Sequence, residues 1–176
     1  MPSLSFRYAT ATDADALASL AAKAFSDTYR DLDDPQEIAD YVAKHFNVPT
    51  VRGLILDPRA KTLLASTSGS LAGYAVLAHT PRPSCVTGAV PVELIRFYLA
   101  ERYIGRGFGV QLMSEIHREA KREGARTIWL GVHDRNIRAI NFYERMGFVK
   151  AGGTEFQFGG RTYIDPVYAT PVRDDA

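Results

Sequence analysis

Gly105, Gly107 and Gly109 recur at spacing two in the run Phe97-Tyr98-Leu99-Ala100-Glu101-Arg102-Tyr103-Ile104-Gly105-Arg106-Gly107-Phe108-Gly109-Val110. An apolar strand leads there through a short loop into a helix. The first amide N–H groups of a helix have no internal partner and point outward. Together with the positive end of the helix dipole, they suit an anionic phosphate. Glycine removes the side chains where the backbone turns, and Arg106 can add a charge-assisted contact. A Walker loop is rejected, because no Gly-Lys-Ser/Thr follows. A Rossmann loop fits poorly: the glycines lie several residues beyond the strand, and Thr127-Ile128-Trp129-Leu130 fills the stretch where its acid would stand. A glycine-rich turn without a ligand stays open on this segment alone.

A second constellation follows about thirty residues on. Trp129-Leu130-Gly131-Val132-His133-Asp134-Arg135-Asn136 precedes Arg138-Ala139-Ile140-Asn141-Phe142-Tyr143-Glu144-Arg145-Met146-Gly147-Phe148. A strand, an asparagine, a short helix carrying a tyrosine and a Gly-Phe that re-enters the sheet come in that order. This ordered pair of segments resembles the GNAT superfamily of acyl-CoA N-acyltransferases, from about Leu4 to about Thr170. The stretch around Phe25, Thr28, Tyr29, Tyr41 and Phe46, with Phe97-Tyr98-Leu99, looks most like the bacterial polyamine-acetyltransferase branch.

The resemblance implies an α/β GNAT-type fold, a mixed, mostly antiparallel central sheet of about six to seven strands flanked by helices. It implies acetyl-CoA as cosubstrate. Phe97, Tyr98 and Leu99 would lie beside the pantetheine arm, offering main-chain groups like an added strand. Gly105, Arg106, Gly107, Phe108, Gly109 and Val110 would cradle the pyrophosphate, and Asn136 would hydrogen-bond the cofactor near its pantetheine arm. Tyr143 would face the thioester sulfur and protonate the leaving thiolate. The family usually has Gln or Arg where this chain has Ile104, a contact the backbone cradle does not need.

Acetyl transfer to an amine must first unmask a nucleophile. A primary amine with a pKa near 10 is about 0.1% neutral at pH 7, which costs roughly 4 kcal/mol. A positioned carboxylate or a water chain can take the proton. Some relatives place a glutamate where this chain has Gly131. Others place it on the strand before the loop, where Glu93 stands at the matching position. Alternation puts Glu93, Ile95, Phe97 and Leu99 on one face of that strand, so Glu93 is the candidate base, against a plain solvated carboxylate at a strand end. His79, His133 and Asp134 are lesser candidates. Direct attack in a ternary complex is more economical than a route through Cys85, which has no sequence-evident base beside it.

In this family the first two helices flank the acceptor-amine cleft. Asp27, Asp31, Asp33, Asp34, Glu37 and Asp40 fall there, with Arg30 the only basic residue of the stretch 27–40. An acidic rim would steer a polycation, although helix capping accounts for Asp34 and Glu37 equally well. Tyr29, Tyr41, Tyr163 and Tyr168 could line an aromatic wall or belong to the core. The expected function is an N-acetyltransferase acting on a small amine or polyamine. A protein N-terminal or lysine acetyltransferase, a non-catalytic acyl-CoA sensor and a nucleotide-binding module compete with it.

The elements that must position these residues follow from periodicity and caps. Leu4–Tyr8 alternates as a short strand. Thr12 caps a helix running to Phe25, and Asp34, before Pro35 and Glu37, caps another running to about Phe46. Residues 49–57 are read as a short helix. Strands at Lys61–Ser66 and Leu71–Ala78 flank a Ser68-Gly69 turn. Residues 80–91 form a loop before the strand Val92–Leu99. In the helix Gly107–Glu123, Gly109, Leu112, Met113, Ile116 and Ala120 recur at helical spacing, and Gly124 ends it. Then come a strand at Thr127–Val132, a helix at Ile137–Met146, a strand at Phe148–Ala151 and one longer extended stretch, Thr154–Ala169.

The chain of 176 residues is expected to be one domain, residues 1–176. Basic and acidic residues nearly balance, 21 against 20. That argues against a nucleic-acid coat protein, which needs a strong positive field. One cysteine excludes an intrachain disulfide framework and any multi-cysteine zinc site; no metal is expected. With no run of about 18 apolar residues and no signal-like start, the expected location is the cytoplasm. The partner is a small-molecule amine, with neither nucleic acid nor membrane, and a homodimer is left open.

Overall fold

The structure, a computed structural model, describes residues 3–173. Strand β1 (Ser5–Tyr8) is followed by a short 3-10 turn and helix α1 (Ala14–Tyr29). Thr10 rather than Thr12 sits at this start: its backbone N–H and hydroxyl both donate to Asp13, at 2.7 and 3.0 Å. α1 continues one turn past Phe25, because the segment holds no breaker and Lys23 pairs with Asp27 along it at 2.7 Å. Helix α2 (Pro35–His45) begins where expected, the Asp34 carboxylate accepting from Gln36 N and Glu37 N. Helix α3 (Val48–Leu56) realises the short helix, capped by Asn47.

Strands β2 (Ala60–Thr67) and β3 (Ser70–Ala78) turn about Ser68 and Gly69, both at positive φ, as a two-residue hairpin turn requires. Strand β4 (Pro91–Leu99) leads through a 3-10 turn and the glycine loop to helix α4 (Phe108–Arg122). Leu112, Met113, Ile116 and Ala120 of α4 are fully buried, confirming its periodicity. Strand β5 (Thr127–Gly131), helix α5 (Ile137–Arg145) and strands β6 (Val149–Phe158) and β7 (Arg161–Pro171) complete the chain.

The expected extended stretch Thr154–Ala169 is instead a hairpin. Gly159 and Gly160, both at positive φ, reverse the chain, and β6 and β7 pair antiparallel from Phe158↔Arg161 back to Val149↔Ala169. A double glycine between alternating residues is a hairpin signal. Gly152 and Gly153 break the sequence pattern between Phe148–Ala151 and Thr154, yet β6 runs through them, with a bulge between Lys150 and Gly152.

The seven strands follow the order β1-β2-β3-β4-β5-β7-β6. β1 pairs antiparallel with β2, and β5 and β6 both pair antiparallel with β7. β4 runs parallel to β5 over Pro91–Glu93. The sheet is therefore mixed and mostly antiparallel, as expected. Contacts group the chain into two compact units. One comprises Met1–Val76 and Arg96–Leu112, the other Leu77–Ile95 and Met113–Ala176. Among the described residues no helix is long and apolar enough to cross a membrane, and no cluster of side chains could hold a metal ion.

Candidate active site

The first unit contains the end of β4, the glycine loop and the start of α4. Gly105 and Gly107 both sit in the left-handed region, at φ 77° and 80°. Exposed Arg106 lies between them, while Phe108 behind the loop is buried against Tyr103, ring centroids 5.5 Å apart. A Cβ built on either glycine meets nothing within 4 Å. These glycines are required by backbone conformation, and the space before them is open. Gln111 N donates to Gly107 O, so the amides of the α4 residues ahead of it face that space without helical partners. The donor set of open amides at a helix start beside an arginine fits a diphosphate.

Phe97, Tyr98 and Leu99 precede this loop. β3 packs so closely on them that a Cβ on Gly73 would meet the Tyr98 carbonyl oxygen and Leu99 Cδ2, each at 2.5 Å. Ala100 N donates to Ala72 O at 2.8 Å, fixing the end of β4. Arg30, near the end of α1, pairs with Glu101 at 3.2 Å and ties that helix to the start of the loop.

The same unit holds an aromatic cluster. Phe25 contacts Tyr29, Tyr41 and Phe46 at centroid distances of 4.5, 4.8 and 5.2 Å. Tyr74 stacks on Tyr98 at 5.9 Å, and Tyr41 lies 4.2 Å from His45. The guanidinium of Arg96 sits over the Phe46 ring, 5.1 Å from its centroid. Burial lifts the Tyr74 and Tyr98 phenols above the ordinary tyrosine range, and neighbouring phenols reinforce the shift. Burial works against the charge of Arg96, but the phenols of Tyr98, Tyr41 and Tyr74 outweigh it and the guanidinium stays charged. His45 is pushed below the usual histidine value by burial, then by Arg96 and Lys44.

Sequence reasoning took in Tyr29, Tyr41 and Tyr98 but missed Tyr74 and Arg96. Alternation puts Val92, Leu94, Arg96 and Tyr98 on one face of β4. A cation in line with buried Val92 and Leu94 was the available signal. Three of the six acids of the stretch 27–40 have internal roles. Asp27 serves Lys23 and Arg30, Asp34 caps α2 and Asp40 accepts from Gln36.

The second unit holds the remaining candidates. Glu93, half-buried on β4, accepts a 2.6 Å hydrogen bond from the Thr80 hydroxyl. Asn136 is buried and caps α5, its side-chain oxygen accepting from Ala139 N at 3.2 Å. Tyr143 is buried on α5 between Phe142 and Phe148, both at 5.6 Å. Tyr168 donates to Glu144 at 3.1 Å, and Tyr163 lies opposite Phe156 in the β6–β7 pairing. These two tyrosines belong to this unit, whereas Tyr29 and Tyr41 belong to the first.

His79 is exposed, with Nε2 3.9 Å from Glu123. His133 Nδ1 accepts from Arg135 N at 3.1 Å, so it cannot at the same time donate to Asp134, 3.2 Å away. Cys85 packs so tightly against β6 that a Cβ on Gly152 would meet its own Cβ at 2.6 Å.

Comparison with known proteins identifies the class. Residues 15–148 match the acetyltransferase (GNAT) family, and the chain belongs to it. It is an N-acetyltransferase that uses acetyl-CoA. An uncharacterized N-acetyltransferase of Mycobacterium tuberculosis is 34% identical over 156 residues, covering 89% of this chain and 96% of that protein. A spermine/spermidine N(1)-acetyltransferase of Bacillus subtilis is 33% identical over 89 residues, covering 50% of this chain and 59% of that one. In fold, the chain is similar to the PaiA N-acetyltransferase of Thermoplasma acidophilum, solved with coenzyme A. The TM-score is 0.79 at 21% identity, over 96% of this chain and 99% of that one.

Proposed function

We propose that this acetyltransferase moves the acetyl group to the primary amine of a small molecule, by direct attack within a ternary complex. The observation that carries the reading is the glycine cradle, with two left-handed glycines, open space before them and outward amides at the start of α4. Gly105 to Val110 grip the diphosphate of coenzyme A. Phe97, Tyr98 and Leu99 offer main-chain groups to the pantetheine amides. Asn136 contributes through its amide nitrogen, since its side-chain oxygen caps α5.

Glu93 takes a proton from the acceptor ammonium, the freed amine attacks the thioester carbonyl, the nitrogen gives its next proton to solvent as the amide forms, and Tyr143 protonates the departing thiolate. The Thr80 hydroxyl steadies the Glu93 carboxylate, and the rings of Phe142 and Phe148 fix Tyr143. A polyamine is the second reading, favoured by the B. subtilis relative. Its support within this chain is reduced by the internal use of Asp27, Asp34 and Asp40.

A panel of amines and peptides incubated with acetyl-CoA and read by mass spectrometry tests the acceptor. Acetylation of small amines is expected, and a mass gain confined to peptides refutes that class. In the same assay Tyr143→Phe should lower kcat by about a hundredfold, a typical contribution of one acid, while calorimetry finds coenzyme A affinity unchanged. Glu93→Gln should flatten the acid limb of the pH–rate profile. If the wild type binds coenzyme A yet releases no thiol with any amine, the chain is a sensor.

A further inference from the structure

The second unit holds a cavity of about 340 Å3 that Glu93, Asn136 and Tyr143 do not line. It lies where α5 and the loop before it face the β6–β7 hairpin. Ile140 of α5, with Ile164 and Pro166 of β7, gives it apolar walls. Register makes this side of the hairpin one face: Lys150 pairs with Tyr168, Gly153 with Pro166 and Glu155 with Ile164. The bulge after Lys150 is what puts that lysine on the face of Gly153, because an unbroken strand points residues three apart to opposite sides. Gly153 keeps the floor of the cavity low. A Cβ there would meet Ile164 Cγ2 at 2.8 Å, so a methyl group would displace an apolar wall.

Two opposite charges line this cavity, and neither is neutralised by the protein. Lys150 is exposed and forms no ion pair among the described residues. The side chain of Asp134 is 62% exposed, and its neighbour His133 Nδ1, 3.2 Å away, already accepts from Arg135 N and has no proton for it. Asp134 and Lys150 do not pair with each other. Exposed charges alone cost little in water and ask for no ligand. What is specific is the combination, apolar walls between an unpaired cation and an unpaired anion. At the back, buried Tyr168 donates to Glu144 at 3.1 Å and ties β7 to α5.

We infer that this cavity binds a zwitterionic aliphatic amino acid. Its carboxylate meets the Lys150 ammonium, its ammonium meets the Asp134 carboxylate, and its side chain lies among Ile140, Ile164 and Pro166. Cavities that hold small molecules run from about 300 to 1,000 Å3, so this one suits a single amino acid rather than a nucleotide or a peptide. A molecule with only one of the two charges leaves the other group of the cavity unmatched. The amino acid is an effector and not the acceptor. It bridges Asp134 and Ile140 to Lys150 and Ile164, and so holds the loop before α5 against the hairpin. Asn136, at the end of that loop, caps α5. On the reading that Asn136 also contacts coenzyme A, ordering the loop favours the cofactor.

Calorimetry with leucine tests the site without any acceptor turnover. Leucine should bind the wild type. Isocaproate, isoamylamine and glycine lack the ammonium, the carboxylate and the side chain in turn, and each should bind about tenfold more weakly or worse. Lys150→Gln and Asp134→Asn should each weaken leucine by about tenfold, and Gly153→Ala should weaken it by displacing Ile164. Lys150→Gln should keep the thermal midpoint and, without leucine, the coenzyme A affinity of the wild type. Saturating leucine should tighten coenzyme A by about fivefold, and coenzyme A should tighten leucine by the same factor. Lys150→Gln should lose both effects.

Absence of leucine binding overturns the inference, as does equal binding of isocaproate or isoamylamine. Leucine affinity that survives both Lys150→Gln and Asp134→Asn removes the ligand from this cavity. N-acetylleucine formed from acetyl-CoA would put the amino acid at the reacting centre and overturn the effector role. Leucine bound with no change in coenzyme A affinity also overturns that role, while leaving the acetyl-transfer reading intact.

Discussion

Two residues stand in places that cost stability. The Tyr74 hydroxyl is buried without a partner, and an unsatisfied buried donor costs about 1–3 kcal/mol. Val90 holds φ 41° although β-branched and half exposed, a conformation that costs on the order of 1–3 kcal/mol. The cause at Val90 is visible on both sides. Its carbonyl accepts from Arg126 N, and the preceding Ala89 carbonyl accepts from the Thr127 hydroxyl. The chain is thereby pinned just before β4 turns into register with Thr127. Asparagine tolerates this region far better. Val90→Asn should stabilise the protein by about 1 kcal/mol, raising the thermal midpoint by roughly 2–4 °C. An unchanged midpoint would mean the backbone relaxes there at no cost. The strain at Val90 serves the register of a strand.

At the scale of elements, what matters is how closely strands and helices are brought together. Gly73 lets β3 approach the end of β4 so nearly that a methyl group would collide with backbone, which cannot swing aside. Gly73→Ala should therefore cost about 1–3 kcal/mol by overpacking and raise KM for acetyl-CoA, because Tyr98 and Leu99 must move. A normal KM would detach this approach from cofactor binding. β1 and the start of α1 are joined by Arg7 and Asp13 at 2.7 Å. The Arg7 hydrogen bond, then the Thr10 amide, holds the Asp13 carboxyl well below the usual carboxylate range. A lowered carboxylate contributes stability above its unfolded value near pH 4, and that contribution fades as pH falls toward the folded value. Denaturation at pH 7 and at pH 3 should show Asp13→Asn losing less than the wild type on acidification. Equal losses would remove Asp13 as a source of acid sensitivity. Much of this was legible in sequence. Asp34 with Pro35, the period of α4 and Ser68-Gly69 each announce their elements locally. The turn at Gly159-Gly160 was masked by extended residues on both sides, and Tyr74 meets Tyr98 through strand packing that no local pattern reveals.

For the molecule as a whole, the consequence of a cofactor cradle is a stability that depends on ligand. Coenzyme A held by the folded chain alone shifts the unfolding equilibrium by about 2.7 kcal/mol when its free concentration is a hundredfold above Kd. At roughly 2–4 °C per kcal/mol for a chain of this size, the midpoint should rise by about 5–11 °C. Gly107→Ala isolates the cradle's part in this. The added methyl meets nothing, so the substitution forces only the backbone, which sits at φ 80°. A left-handed alanine costs on the order of 1–2 kcal/mol. The variant should melt a few degrees lower without ligand, and its shift with coenzyme A should shrink because the outward amides lose their aim. Asp13→Asn lies apart from the loop in sequence and serves as the control: it should also melt lower, but keep the full shift. A full shift in Gly107→Ala would take the diphosphate grip away from this loop, and an equal shift of the wild type with NAD, which also carries a diphosphate, would take away the preference for coenzyme A.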